Sequence, residues 1–184
     1  MNTLVVFESM YGNTHTIAER IAAGFSPLPV TVRAASQVTD ADVAAAHVLV
    51  LGAPTHVHHL PSLKSRWQAV THPPSGARLD SAAFGAGMRD VLRSMATWGA
   101  GDHQMVAAFD TRLSGPAVLT GRASRSIARR VRRLGRPLVV APMSFIVDRA
   151  NHLAEGEAER AERWGASIAA AVRDLRLATA VVPV

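Results

Sequence analysis

Five short apolar runs recur along this chain, and most successive pairs are separated by a stretch with helical spacing. The runs are Thr3–Phe7 (TLVVF) and residues 30–33, 48–51, 105–109 and 138–147, the last interrupted near Pro142. Between and after them, Ile17, Ala18, Ile21, Ala22 and Phe25 fall on one helical face. Residues 40–46 read as a weak helix, and residues 63–70, 88–98, 122–134 and 155–175 as further helices. Residues 72–76 read as a loop. Strands joined by helices are parallel, because a parallel pair needs a long crossover. The expectation is an α/β, doubly wound parallel sheet with helices on both faces. Unbroken apolar runs agree with strands covered on both sides. In such sheets ligands sit beyond the carboxyl ends of the strands, where the strand order reverses. The loops after the first, third and fourth runs therefore carry the candidate site.

Composition narrows the classes. A length of 184 residues with 48% hydrophobic content suits one domain, residues 1–184, with a full core. The chain has no cysteine, which excludes disulfides, thiolate catalysis and cysteine-ligated metals. Met1-Asn2-Thr3 leads straight into the first run, so no secretory signal is expected. The uncharged stretch 43–63 holds four His, two Pro and a Gly and is too polar for a bilayer span. A cytoplasmic protein is expected. The net charge of +6 comes almost wholly from arginine, since Lys64 is the only lysine.

The loop after the first run is Ser9-Met10-Tyr11-Gly12-Asn13-Thr14. It leads a strand into a helix, where free amides and the helix dipole attract an anion. Gly12 lets the backbone come close, and Ser9, Asn13 and Thr14 add side-chain donors. Thr16 and Glu19 have the spacing of a capping box. No lysine is present, so a triphosphate loop is excluded, and no G-x-G-x-x-G follows the strand. A single phosphate held by neutral donors, or an ordinary capped turn, remain as readings.

This loop resembles the flavodoxin phosphate loop, usually written [ST]-x-T-G-N-T, with Tyr11 in place of the central threonine. Gly52-Ala53-Pro54-Thr55 is similar to the family's second loop. Variants with Tyr at that place are similar to flavodoxin-like quinone reductases and to flavodoxin-domain proteins of high-GC bacteria. The resemblance implies a five-stranded sheet of order 2-1-3-4-5 with FMN at the switch point. It implies phosphate contacts from Ser9, Met10, Tyr11, Gly12, Asn13 and Thr14. It also implies ring contacts from Pro54, Thr55, His56, Val57, His58 and His59, and from Asp110, Thr111, Arg112 and Gly115.

Neither ring loop carries the Trp or Tyr that usually flanks the flavin in electron-carrier flavodoxins, which leaves His56, His58 and His59 as the ring side chains there. A protonated imidazole would favour the anionic reduced flavin. The same histidines are also exposed loop residues or metal ligands by type, but no carboxylate in the loop completes a metal site, and none is expected. Arg112 can face the flavin or an acidic substrate, or pair with Asp110 or Asp148. Trp67 and Trp98 fall on helical patterns and read as packing residues.

Arg125, Arg129, Arg130, Arg132, Arg133 and Arg136 fall opposite Ile127, Val131 and Leu134. They form a solvated face or a patch for an acidic partner or phosphates. Without interleaved aromatics or a nucleic-acid motif, no nucleic acid is expected. The functional expectation is an FMN-dependent oxidoreductase or electron carrier. It would work with a redox partner protein, or with NAD(P)H and a quinone-like acceptor. The alternatives are a flavin-free regulatory or interaction domain on the same fold, and metal-dependent hydrolysis through the histidines.

Overall fold

The computed structural model of the protein describes residues 2–56, 58–74, 76–97 and 104–180, with side chains through 178. Five parallel strands form one sheet in the order β2-β1-β3-β4-β5. They are β1 (Thr3–Phe7), β2 (Val30–Ala34), β3 (Val48–Pro54), β4 (Met105–Leu113) and β5 (Met143–Val147). The crossovers are α1 (Asn13–Ala23), α2 (Asp40–Ala45), α3 (Leu63–Thr71), α4 (Met88–Thr97), α5 (Ala117–Thr120) and α6 (Ala123–Arg133), and α7 (Glu157–Ala180) closes the chain. The order is the expected one. No helix among the described residues is long and apolar enough to cross a membrane.

The sheet sorts its side chains by the two-residue period of a strand. Leu4 and Val6 join Leu49, Leu51, Met88, Leu92, Met95, Ile127 and Val131 on one face, under α4 and α6. Val5 and Phe7 join Ile17, Ile21, Phe109, Phe145 and Trp164 on the other, under α1 and α7. Phe109, Phe145 and Trp164 meet edge to face, with ring centroids 6.2–6.3 Å apart.

Several sequence expectations are corrected here. Strands β3 and β4 run on to Pro54 and Leu113, so Asp110, Thr111 and Arg112 lie in a strand rather than a loop. Leu138 forms only an isolated bridge to Val106, and the regular strand β5 begins after Pro142, at Met143. Helix α1 starts at Asn13, so Thr16 falls inside its first turn and bonds back to the Gly12 carbonyl at 3.2 Å. The Thr16–Glu19 capping box does not form. Capping boxes appear instead at Thr39–Asp42 and Ser62–Ser65. Trp67 is 64% exposed, because α3 turns Arg66 inward and its neighbour therefore points out. Trp98 lies outside the described residues. Arg136 is buried past the end of α6, where its guanidinium reaches the Met95 carbonyl, so it leaves the exposed arginine face. Helix α7 runs from Glu157 to Ala180, past its expected end at residue 175. Glu157 and Glu159 still complement its positive end.

Helices α1 and α7 cross at van der Waals distance because both carry glycine at the contact. A Cβ on Gly165 would collide with the Ile21 carbonyl oxygen, and one on Gly24 with that of Glu162. Backbone cannot yield there as a flexible side chain would. Gly165→Ala is expected to lower stability by about 1–3 kcal/mol, typical of overpacking. Equilibrium denaturation checks it, and an unchanged midpoint would show that the two helices separate freely.

Candidate functional site

Order reverses between β1 and β3, since β1 pairs with β2 on one side and β3 on the other. The loops leaving β1, β3 and β4 therefore diverge, and a cleft of about 240 Å³ opens between them. Ser9, Met10, Tyr11, Asn13 and Thr14 line it from the first loop, and Pro54, Thr55 and His56 from the second. Thr111, Arg112 and Leu113 line it from the end of β4. A fourth segment, Val147, Asp148, Arg149 and Asn151, closes the rim together with Pro74. Sequence reading missed that segment, because nothing local to residues 147–151 marks them as neighbours of residues 9–14.

At the first loop the chain leaves acceptor-free amides. Gly12 precedes α1 in the left-handed region (φ 92°), with open space where a Cβ would stand. The first helical bond runs from Thr16 N to Gly12 O at 2.9 Å, so the amides of Asn13, Thr14 and His15 have no acceptor within the helix. Gly12 N donates to Ser9 Oγ at 3.0 Å, which leaves the serine hydroxyl proton to donate elsewhere. These groups fit a phosphate.

Side chains lock this loop to its neighbours. Thr14 Oγ1 and Thr111 Oγ1 share a buried bond of 2.7 Å that ties α1 to β4. Asn13 Nδ2 donates to the Asn151 carbonyl and Oδ1 at 2.8 and 3.0 Å. The Asn13 side chain is thus committed to the fourth segment rather than left free as a donor. Tyr11 supplies the aromatic ring that the other two loops lack, and its hydroxyl is anchored on the Ala69 carbonyl at 2.8 Å. Burial pushes that phenol's pKa up.

Asp110, His58, His59 and Gly115 do not line the cleft. Asp110 is fully buried inside β4, and its Oδ2 accepts from Thr55 Oγ1 at 3.1 Å and Ser124 N at 2.8 Å. It holds the second loop and the start of α6 to the strand. Burial raises its pKa against the opposing pull of those bonds. Gly115, past the strand end, accepts from Arg112 at 2.9 Å. His56 and His59 exchange backbone bonds of 2.9 and 3.0 Å. His58 sits at φ 72° against Gly121, and His59 points away from the cleft into a separate groove. Val57 lies outside the described residues. Among those described, no cluster of three metal-ligating side chains exists.

Arg112 pairs with neither Asp110 nor Asp148. Its Nη1 donates to the Leu113 and Gly115 carbonyls and to Thr120 Oγ1, at 3.1, 2.9 and 2.7 Å. Its Nε is buried without an acceptor. With Arg149 it places two guanidinium groups on a cleft whose first loop carries none.

Beneath the cleft, Glu8 follows β1 and is 1% exposed. Its Oε2 accepts from Met88 N at 2.8 Å, and its Oε1 lies 3.2 Å from Arg66 Nε, an ion pair without hydrogen-bond alignment. Arg66 also donates to the Ala83 and Gly85 carbonyls at 3.0 and 2.9 Å. Burial raises the Glu8 pKa, and the Met88 amide and Arg66 oppose it. Sequence reading missed this pair, since a lone Glu and a lone Arg read as surface. His56 lies close enough to feel Arg66. Burial first, and that positive charge second, lower its pKa to about 4. His56 is therefore neutral near pH 7, which leaves stacking or a neutral hydrogen bond, rather than positive charge, as what this imidazole offers.

No protein-family model and no curated protein matches the chain. Solved structures do match. A flavodoxin from the domain Archaea is 20% identical with a TM-score of 0.63, covering 94% of this chain and 99% of that one. A WrbA-like flavodoxin from Agrobacterium tumefaciens is 24% identical with a TM-score of 0.59, covering 94% and 98%. A flavodiiron core from Synechocystis is 17% identical with a TM-score of 0.67, and here 95% of this chain covers 36% of that one. At these identities the likeness shows the fold, which is flavodoxin-like.

The low pKa of His56 fixes a sign. Its folded value lies below the unfolded value of about 6.5, so the unfolded chain binds more protons between pH 6.5 and 4. Stability from this residue is intact above pH 6.5 and falls as pH drops through that window. His56→Gln is expected to flatten the loss of stability from pH 6.5 to 4 relative to the parent, by on the order of 2–3 kcal/mol. Denaturant unfolding across pH measures it, and parallel curves for the two proteins would contradict it.

Proposed function

We propose that the cleft binds FMN non-covalently and that the protein is a redox flavoprotein. The observation that carries this reading is the set of acceptor-free amides at Asn13, Thr14 and His15. They stand beside Ser9 at the sheet's switch point, in the loop that resembles a flavodoxin phosphate loop. The flavodoxins among the structural neighbours support it. When bound, FMN would supply one- or two-electron redox chemistry.

The chain's own residues would hold and orient it. The phosphate would meet the amides after Gly12 and the hydroxyls of Ser9 and Thr14. Pro54, Thr55 and His56 on one side, and Thr111 and Arg112 on the other, would face the rest of the cofactor. Neutral His56 can stack or hydrogen-bond, while Arg112 and Arg149 supply the positive charge that favours an anionic reduced cofactor. Tyr11 offers an aromatic wall.

Two roles divide this reading: reduction by NAD(P)H followed by transfer to a quinone-like acceptor, and shuttling between protein partners. The first is favoured because the second and third loops place no aromatic ring over the cleft. A flavin-free interaction domain is the second reading. It is supported by the Asn13 side chain, whose amide donates to Asn151, and by a cleft smaller than the roughly 300–1,000 Å³ usual for small-molecule sites.

FMN is expected to bind with visible absorption bands and to exceed riboflavin in affinity by roughly a hundredfold, about 2.7 kcal/mol, since only FMN carries the phosphate. Thr14→Val should narrow that ratio. Equal affinities would remove the phosphate seat, and no affinity for either would leave the flavin-free reading. Rapid mixing of the flavin-loaded protein with NAD(P)H then separates reductase from shuttle, because a shuttle stays oxidised without a reductase partner.

A further inference from the structure

A second concave site lies away from the cleft, between α4 and α6, with a volume of about 660 Å³. Arginine dominates its polar lining: Arg89 and Arg93 from α4 and Arg129, Arg130 and Arg133 from α6, with Ser126 and His59 beside them. Among the described residues no carboxylate lines it.

Fold stability explains only part of this set. Arg89 is built in, with Nε and Nη2 donating to the Pro61 and Leu60 carbonyls at 2.7 and 2.8 Å. Arg93 pairs with Asp90 at 2.9 Å across one helical turn. Arg129, Arg130 and Arg133 make no ion pair with any described residue, and all three are exposed. Helix α6 buries Ile127, Ala128 and Val131, so its packing does not require them. The helix dipole favours cations in the last turn, but only by about 0.3–1 kcal/mol each. Like charges converging on one concavity repel, and a ligand of opposite charge reverses that repulsion.

We propose that this groove binds a small molecule carrying a polyphosphate group. Its volume lies within the range of small-molecule sites, whereas a protein partner needs a surface of about 800 Å² on each side. Guanidinium forks bind phosphate oxygens in pairs, and a polyphosphate chain concentrates several negative charges in a length that a peptide occupies with one or two. The groove is distinct from the flavin cleft: the two share no lining residue among those described, His56 lining one and His59 the other.

Isothermal titration of the intact protein with sodium tripolyphosphate tests this without any flavin, so it stands or falls apart from the redox reading. The double variant Arg129→Gln/Arg133→Gln should weaken binding at least tenfold. The control Arg125→Gln/Arg132→Gln removes the same charge from the same helix outside the groove and should change it less than threefold. If the groove double variant fails to fold by its thermal melt, Arg130→Gln alone should still weaken binding several-fold. No binding at low salt would overturn the proposal, and so would equal losses in both double variants, which mean diffuse attraction to a basic protein. Equal affinity for a tetraglutamate peptide would also overturn it, in favour of an acidic polypeptide partner.

Discussion

Strand β1 has a hydrogen-bonded neighbour on each side, and the site depends on that placement. With β2 on one edge and β3 on the other, successive crossovers leave the sheet in opposite directions. The loops after β1 and β3 then part instead of packing on each other, and the gap is the cleft. Every side chain of β1 is buried, from Thr3 to Phe7, so the strand cannot slip by a residue without turning Val5 and Phe7 into the wrong layer. Its register fixes where Glu8 and Ser9 emerge. Glu8 turns down to Arg66 and the α4 amide, and Ser9 turns toward Gly12. One residue thus ties β1 to α3 and α4, and the next stands at the anion seat.

Around that seat the loops are bonded to one another. Thr14 bonds to Thr111, Asn13 to Asn151, Thr55 to Asp110, Tyr11 to the α3 carbonyl of Ala69, and His56 lies 3.3 Å from Ser65. Each such bond contributes on the order of 1 kcal/mol net, but their larger effect is to order the loops before a ligand arrives. Asp110 is central to this. Its carboxylate is fully buried, and it joins the second loop to the N-terminus of α6. Loss of that carboxylate would loosen two walls without touching a ligand.

The parts legible in the sequence are those set by local pattern. Apolar runs such as TLVVF and the helical spacing of Ile17, Ile21 and Phe25 require no distant partner to be read. Together with the rule for parallel crossovers they lead to a parallel α/β sheet, while its order 2-1-3-4-5 was implied only by the flavodoxin resemblance of the Ser9–Thr14 loop. The Ser9–Thr14 loop was legible for the same reason: a strand, a glycine and a helix start are adjacent in sequence. What escaped depends on tertiary neighbours. Asp110-Thr111-Arg112 looks like loop because polar residues break the apolar run, yet β3 and β5 pair across it and keep it extended. Arg66 looks like surface until Glu8 is placed beneath it. Trp67 looks like core until Arg66 takes the inward position. Residues 148–151 join the site only because Asn151 reaches Asn13 across most of the chain length.

Electrostatics separates the two concavities by kind as well as place. At the first loop an anion would meet neutral donors, whose positive ends are fixed by backbone geometry and do not repel one another as cations do. Such a seat suits a group of modest charge held permanently in one orientation. In the α4–α6 groove any attraction would come from guanidinium charges, most of them exposed and screened by salt. That arrangement suits exchange rather than retention.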